Sequence, residues 1–262
     1  MTKIALTIAG SDSGGGAGIQ ADLRTCPFQR VHGARAITSV TAQNTVGVKK
    51  VEAISLATIR AQIEAVIEDL QVDAVKTGML LNREIMETVA QYKLKNLVLD
   101  PVMVSRAGVQ LIDDLAIADL QQLLFPQAVI ITPNRYEAEI LSGLSIQSLT
   151  DLEQAAIAIY EGWGTVVLAK GGSLPGVERG TDVWYDGQQL RRLAETTVDT
   201  KNTHGTGCTL SAAICANLAL GKDLWSAVTE AKKYITTALQ HSLNIGAGNG
   251  PVGHFFPLIS KS

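Results

Sequence analysis

Five short apolar runs punctuate the chain, at positions 4–9, 72–76, 97–100, 128–132 and 165–169, and each gives way to turn residues and then to a segment of helical period. Strands alternating with helices imply a parallel sheet. Ala128-Val-Ile-Ile131 and Thr165-Val-Val-Leu-Ala169 lack the polar alternation of a half-exposed strand, so helices are expected on both faces. The pattern therefore predicts an α/β fold of three layers with a mostly parallel central sheet. One departure is foreseen: Asp186-Gly187 between Thr181-Asp-Val-Trp-Tyr185 and Gln188-Gln-Leu-Arg-Arg192 reads as a small antiparallel hairpin. Asp22 to Arg30 has helical character but contains Pro27, which is expected to end or kink that helix.

At 262 residues, 46% hydrophobic and 18% charged, the chain can bury one large core. With no repeat or linker in view, residues 1–262 are expected to form a single domain. The formal charge of −3 provides no basic footprint, which argues against nucleic acid or an anionic membrane as partner. No stretch approaches the ~18–20 apolar residues of a membrane span, and the run Ile4 to Ala9 is too short for a signal-peptide core, so a cytoplasmic location is expected. Cys26, Cys208 and Cys215 show no spacing for disulfides or zinc.

Chemistry-bearing residues follow directly on the apolar runs: Gly10, Lys76-Thr-Gly-Met79, Asp100, Asn134 to Glu137, and Lys170-Gly-Gly172. In parallel sheets ligands collect at the carboxyl ends of strands, so one rim can hold one site. The segment Ile4 to Asp22 reads as a buried strand that breaks into glycines and enters a helix. Gly10 and Gly15 have Walker A spacing, but Gly16 stands where that loop needs lysine, and the G-x-G-x-x-G dinucleotide pattern is also missing. In a second segment, Asp199 to Ala213, a Gly205-Thr206-Gly207 turn and Cys208 open an alanine-rich helix. Free N–H groups and the positive end of a helix dipole suit a phosphoryl group in transfer. The same dipole would favour the Cys208 thiolate, as a base or as a hydrogen-bonding group, against the plainer reading of a packed thiol beside a helix cap. His204 stands four residues before Cys208, yet without a visible orienting acid a Cys-His hydrolase is disfavoured.

Seven blocks in order, AGSDSGGGAGIQAD at 9–22, AITSVTAQNT at 36–45, VKTGML at 75–80, LDPVMV at 99–104, TPNRYEAE at 132–139, LAKGG at 168–172 and DTKNTHGTGCTLSAA at 199–213, resemble the ribokinase-like kinases, and within them the hydroxymethylpyrimidine and phosphomethylpyrimidine kinases of thiamine biosynthesis. The resemblance runs nearly end to end. It implies a ribokinase-like fold and ATP- and Mg²⁺-dependent phosphorylation of a small aminopyrimidine and of its monophosphate.

By residue, it implies that Gly205, Thr206 and Gly207 bind the transferring phosphoryl group and that Cys208 stands beside the substrate hydroxyl, where most ribokinase-like enzymes carry aspartate. Glu137 and Asp100 would serve Mg²⁺, with Asn134 and Lys170 at the nucleotide phosphates. The same four residues have ordinary explanations as a helix cap with its first-turn acid, a strand-end carboxylate and a solvated lysine. Gln43 would read the pyrimidine edge, with Gly10, Ala17, Asp22 and Met79 around the ring. Ser173 replaces the histidine usual after LAKGG, and Gly246-Ala-Gly-Asn-Gly-Pro251 is a candidate for the adenine side. A homodimer is compatible with the family. The rival readings are a pyridoxine-type vitamin kinase of the same fold and a ligand-binding regulator without turnover.

Overall fold

A computed structural model describes residues 1–103, 112 and 114–259; Val104 of the LDPVMV block lies outside them. Every expected strand is present. The chain runs β1 (Ile4–Asp12), α1 (Gly18–Phe28), β2 (His32–Gln43), β3 (Val48–Ala53), α2 (Leu56–Asp69), β4 (Ala74–Thr77), α3 (Arg83–Ala90), β5 (Leu97–Leu99), α4 (Asp114–Leu123), β6 (Ala128–Ile131), α5 (Arg135–Ser142), α6 (Leu149–Trp163), β7 (Val166–Ala169), β8 (Asp182–Tyr185), β9 (Leu190–Leu193), α7 (Thr206–Ala219) and α8 (Leu224–Gln240). The nine strands form one sheet in the order β3-β2-β1-β4-β5-β6-β7-β8-β9.

From β2 to β7 neighbouring strands are parallel, while β3, β8 and β9 pair antiparallel at the two edges. Asp186 Oδ1 accepts from the N–H groups of Gln188 and Gln189 in the β8–β9 turn, the hairpin read from Asp186-Gly187. β2 and β3 had no counterpart among the apolar runs. Pro27 lies inside the last turn of α1, which ends one residue later.

The two-residue period of the strands sorts side chains between two cores. Leu6, Val75, Leu97, Leu99, Ile131 and Val167 face a core shared with α2 to α6, whereas Ala5, Ala74, Val98, Ile130 and Leu168 face a second core shared with α1, α7 and α8. In α7 every residue from Thr209 to Asn217 is buried. Such a helix is covered all round, here by α1, α8 and the sheet. Its N-terminus is thereby fixed against the carboxyl ends of β1, β4 and β5.

Candidate active site

The glycine-rich loop after β1 is organised by Asp12, which is 3% exposed. Asp12 Oδ1 accepts from Gly14 N–H at 2.8 Å, and Oδ2 accepts from Gly16 and Ala17 N–H at 3.0 and 2.9 Å. His204 Nε2 reaches the same Oδ2 at 2.8 Å. Burial works against the charge, but the His204 bond and the N–H donors outweigh it and hold the Asp12 carboxyl below the usual carboxylate range.

The second glycine-rich segment docks on the first. Gly205, the residue preceding α7, has φ 81°, and a Cβ there would fall 1.8 Å from the Gly16 carbonyl oxygen. Only glycine fits this contact, because the left-handed backbone and the close approach both exclude a side chain. Gly16 is crowded as well, since a Cβ on it would lie 2.3 Å from His204 Cδ2.

Beneath the first turn of α7 lies a cluster of buried charge. Lys170 Nζ donates to Asp100 Oδ1 at 2.9 Å, and Ser211 Oγ of α7 donates to Asp100 Oδ2 at 3.2 Å. A Cβ on Gly207 would be 3.3 Å from Lys170 Nζ and 3.8 Å from Asp100 Oδ2, so the glycine lets this pair come close to the helix start. Burial opposes the Asp100 charge, yet Lys170 and Lys76 keep its carboxyl below the usual range. Lys76 itself is 1% exposed and donates to both oxygens of Asp22, at 3.0 and 2.8 Å. Burial disfavours its ammonium, but Asp22, Cys208 and Asp100 hold it protonated.

Cys208 departs from expectation. The helix dipole was expected to favour a thiolate; burial dominates instead and, with Asp22 and Asp100 nearby, pushes the thiol up to about 11 against the pull of Lys76 and of Gly18 N–H. The thiol is protonated at neutral pH. Asp22 is 1% exposed, and its oxygens accept from Lys76 and from the Thr7 hydroxyl. Asn134 and Glu137 form a complete capping box on α5, in which Asn134 Oδ1 accepts from Glu137 N–H and Glu137 Oε2 from Asn134 N–H. The ordinary explanation of that pair is thus realised. Glu137 Oε1 also accepts from Met103 N–H, and its charge acts on Lys170.

The remaining expected residues converge on the same rim. Gly10 lies within β1 rather than after it, and a Cβ there would press Met79 Cε at 2.7 Å. Ala17 precedes α1, and half-buried Gln43 ends β2 beside His204 and Thr41. Thr206, the first residue of α7, anchors its hydroxyl on the Thr203 carbonyl at 2.6 Å. Gly248 and Asn249 bond to Thr45, and Gly250 to Asn202 and His204, so the Gly246 to Pro251 segment packs beside the end of β2. A small cleft on α7 is lined by Gly172, Arg179, Thr203, Thr206 and Lys232. The pairings of Asp12 with His204 and of Lys76 with Asp22 are not legible in the sequence; the one local signal is a carboxylate, Asp12, two residues before the Gly14 to Gly16 run.

A sequence model of the phosphomethylpyrimidine kinase family matches residues 12–253. The chain belongs to that family. The phosphomethylpyrimidine kinase match is supported by the hydroxymethylpyrimidine/phosphomethylpyrimidine kinase of Synechococcus elongatus, 56% identical over 259 residues, with 97% of this chain and 98% of the relative covered. Among solved structures, an ADP complex of Bacillus subtilis pyridoxal kinase superimposes with a TM-score of 0.90 at 40% identity, covering 97% of this chain and 98% of that one. Phosphomethylpyrimidine kinase from Clostridium difficile gives 0.79 at 41%, covering 91% and 100%. The mostly parallel sheet with helices on both faces is the fold of this phosphotransferase group. Kinases of this family take ATP as phosphate donor. Among the described residues, no helix is long and apolar enough to cross a membrane.

Proposed function

We propose that this chain transfers the γ-phosphoryl group of ATP to the hydroxymethyl oxygen of 4-amino-5-hydroxymethyl-2-methylpyrimidine, and a second phosphoryl group to the resulting monophosphate, supplying the diphosphate used in thiamine biosynthesis. The observation that carries the reading is the interlock of the two glycine-rich segments at Gly16 and Gly205, which sets Cys208 and the N–H groups of α7 against the loop after β1. A phosphoryl group at this helix start would meet N–H donors from above and the ammonium of Lys170 from below.

Phosphoryl transfer needs position and charge neutralisation more than covalent chemistry. Asp100 and Glu137 both act on Lys170 and are the residues that would hold Mg²⁺. Among the described residues no cluster of three metal-ligating side chains occurs, which suits an ion carried mainly by nucleotide phosphates and water. When bound, the ion would neutralise charge on the phosphates. The cleft beside Gly172 and Thr206 is the candidate nucleotide side, while Gln43, Gly10, Ala17 and Met79 border the ring.

With its thiol protonated, Cys208 would orient the substrate hydroxyl by hydrogen bonding; as the new O–P bond forms, the bond from the γ-phosphorus to the ADP oxygen breaks, ADP leaves, and the hydroxyl proton passes to an oxygen of the transferred phosphoryl group and on to water. The close fold of pyridoxal kinase favours one second reading, that a pyridoxal hydroxyl enters the same pocket. ADP release measured with hydroxymethylpyrimidine, its monophosphate and pyridoxal separates the two. Turnover of both pyrimidines is expected, and turnover of pyridoxal alone would overturn the proposal.

A further inference from the structure

Gln43 sits between two groups whose hydrogen-bond roles are already fixed. On one side is Thr41, whose single hydroxyl proton lies on the Ser11 carbonyl at 2.8 Å. Only lone pairs remain to face the Gln43 carboxamide 3.2 Å away, so Thr41 meets it as an acceptor. On the other side is His204 Nε2, bonded to Asp12 Oδ2 at 2.8 Å. A carboxylate only accepts, so Nε2 carries its proton, which lies on Asp12; the N–H leaves no lone pair for the Gln43 carboxamide 3.4 Å away and presents it with a positive edge. With the amide nitrogen toward His204, donor faces donor there and lone pair faces lone pair at Thr41. Turning the carboxamide end for end removes both conflicts.

The imidazole cannot readily adjust to Gln43. Its backbone N–H donates to Gly250 O at 3.1 Å and its carbonyl accepts from Val252 N–H at 3.2 Å, while the ring rests on Gly16. Asp12 is held in turn by three loop N–H groups.

We infer that His204, locked by Asp12, is a positioning residue that fixes the Gln43 carboxamide with its oxygen toward His204 and its nitrogen toward Thr41, and so sets the polarity of the substrate edge this glutamine reads. The second lone pair of the oxygen and the second proton of the nitrogen form an acceptor–donor pair in fixed order. That order fits a ring edge with an amino donor beside an unprotonated ring nitrogen, and it mismatches an edge with a hydroxyl or aldehyde oxygen beside carbon. The inference rests on the proposal that Gln43 reads the substrate ring.

The test has one arm without substrate and one with it. In wild-type protein carrying ¹⁵N in histidine and glutamine, the His204 ring should carry a proton at Nε2, facing Asp12. A ring protonated at Nδ1 alone would overturn the inference. In kinetics, His204→Phe keeps an aromatic ring but removes the N–H, and should lower the preference for aminopyrimidine over pyridoxal roughly tenfold, through the aminopyrimidine KM with kcat little changed. His204→Gln restores an N–H donor and should recover most of that preference. In a Gln43→Leu background, His204→Phe should bring no further loss of preference. Equal losses on both substrates would reduce His204 to a packing residue. Wild-type protein that turns over no aminopyrimidine would sink the functional proposal, and the tautomer measurement would still decide the arrangement of His204. If His204→Phe fails to fold, that same measurement decides alone.

Discussion

Lys76 places its ammonium 3.0 and 2.8 Å from the two carboxylate oxygens of Asp22, and both side chains are 1% exposed. The pair ties β4 to α1 directly below Cys208. Removing one partner strands the other charge in the core, so Lys76→Met should cost ~3–5 kcal/mol in urea unfolding. Lys76→Met with Asp22→Leu should cost less than the single change. A single variant within about 1 kcal/mol of wild type would show that water reaches the pair.

Cys208 should resist alkylation at neutral pH. Burial pushes its thiol up to about 11, so the iodoacetamide rate should climb with pH throughout the neutral and mildly alkaline range, without an early plateau. Cys208→Ala should lower turnover more than it weakens ATP binding, by roughly tenfold, the scale of one lost hydrogen bond to the reacting hydroxyl. A rate plateau already reached at neutral pH would restore the thiolate.

His254 sets an acid limit on stability. It is 2% exposed, accepts or donates at Thr209 Oγ1 over 2.8 Å, and is pushed by burial and by Arg24 down to about 4. The unfolded chain binds this proton near the ordinary histidine value and the folded one only near 4, so stability is full above the first and lost as pH falls through the second. The loss should be on the order of 3 kcal/mol across that window. Urea midpoints of wild type and His254→Asn between those limits check it. An equal acid loss in the variant would assign the effect elsewhere.

Glu137→Gln separates the capping role from the metal role. The amide keeps an oxygen for Asn134 N–H but turns its nitrogen toward the buried Met103 N–H and has no charge, so stability should fall by about 1–3 kcal/mol. The Mg²⁺ concentration for half-maximal turnover should rise roughly tenfold or more. A melting-temperature drop with unchanged Mg²⁺ dependence would leave Glu137 as a cap alone.

Gln43→Leu should raise the aminopyrimidine KM by roughly one to two orders of magnitude, the effect of leaving ~1–3 kcal/mol of polar pairing unmade. Pyridoxal turnover, where present, should change less. Equal losses on the two substrates would mean that Gln43 only supports the end of β2.

Much of this architecture could be read in the order of residues. Buried parallel strands need continuous apolar runs, so β1, β4, β5, β6 and β7 announced themselves. The hairpin at Asp186-Gly187 and the glycine clusters were equally plain, because left-handed turns and close approaches narrow the choice of residue. β2 and β3 were hidden for the opposite reason: β2 mixes buried and exposed positions, and β3 is an edge strand exposed at every residue, so neither needs an apolar run. Tertiary structure alone decided the pairings. Asp12 meets His204 across 192 positions of chain, and Lys76 meets Asp22 across 54, and no local pattern encodes either. The state of Cys208 was likewise beyond the sequence. A helix start next to a cysteine announces a dipole, but the opposing cost of burying the thiolate exists only once β1, β4, β5 and α1 close around it.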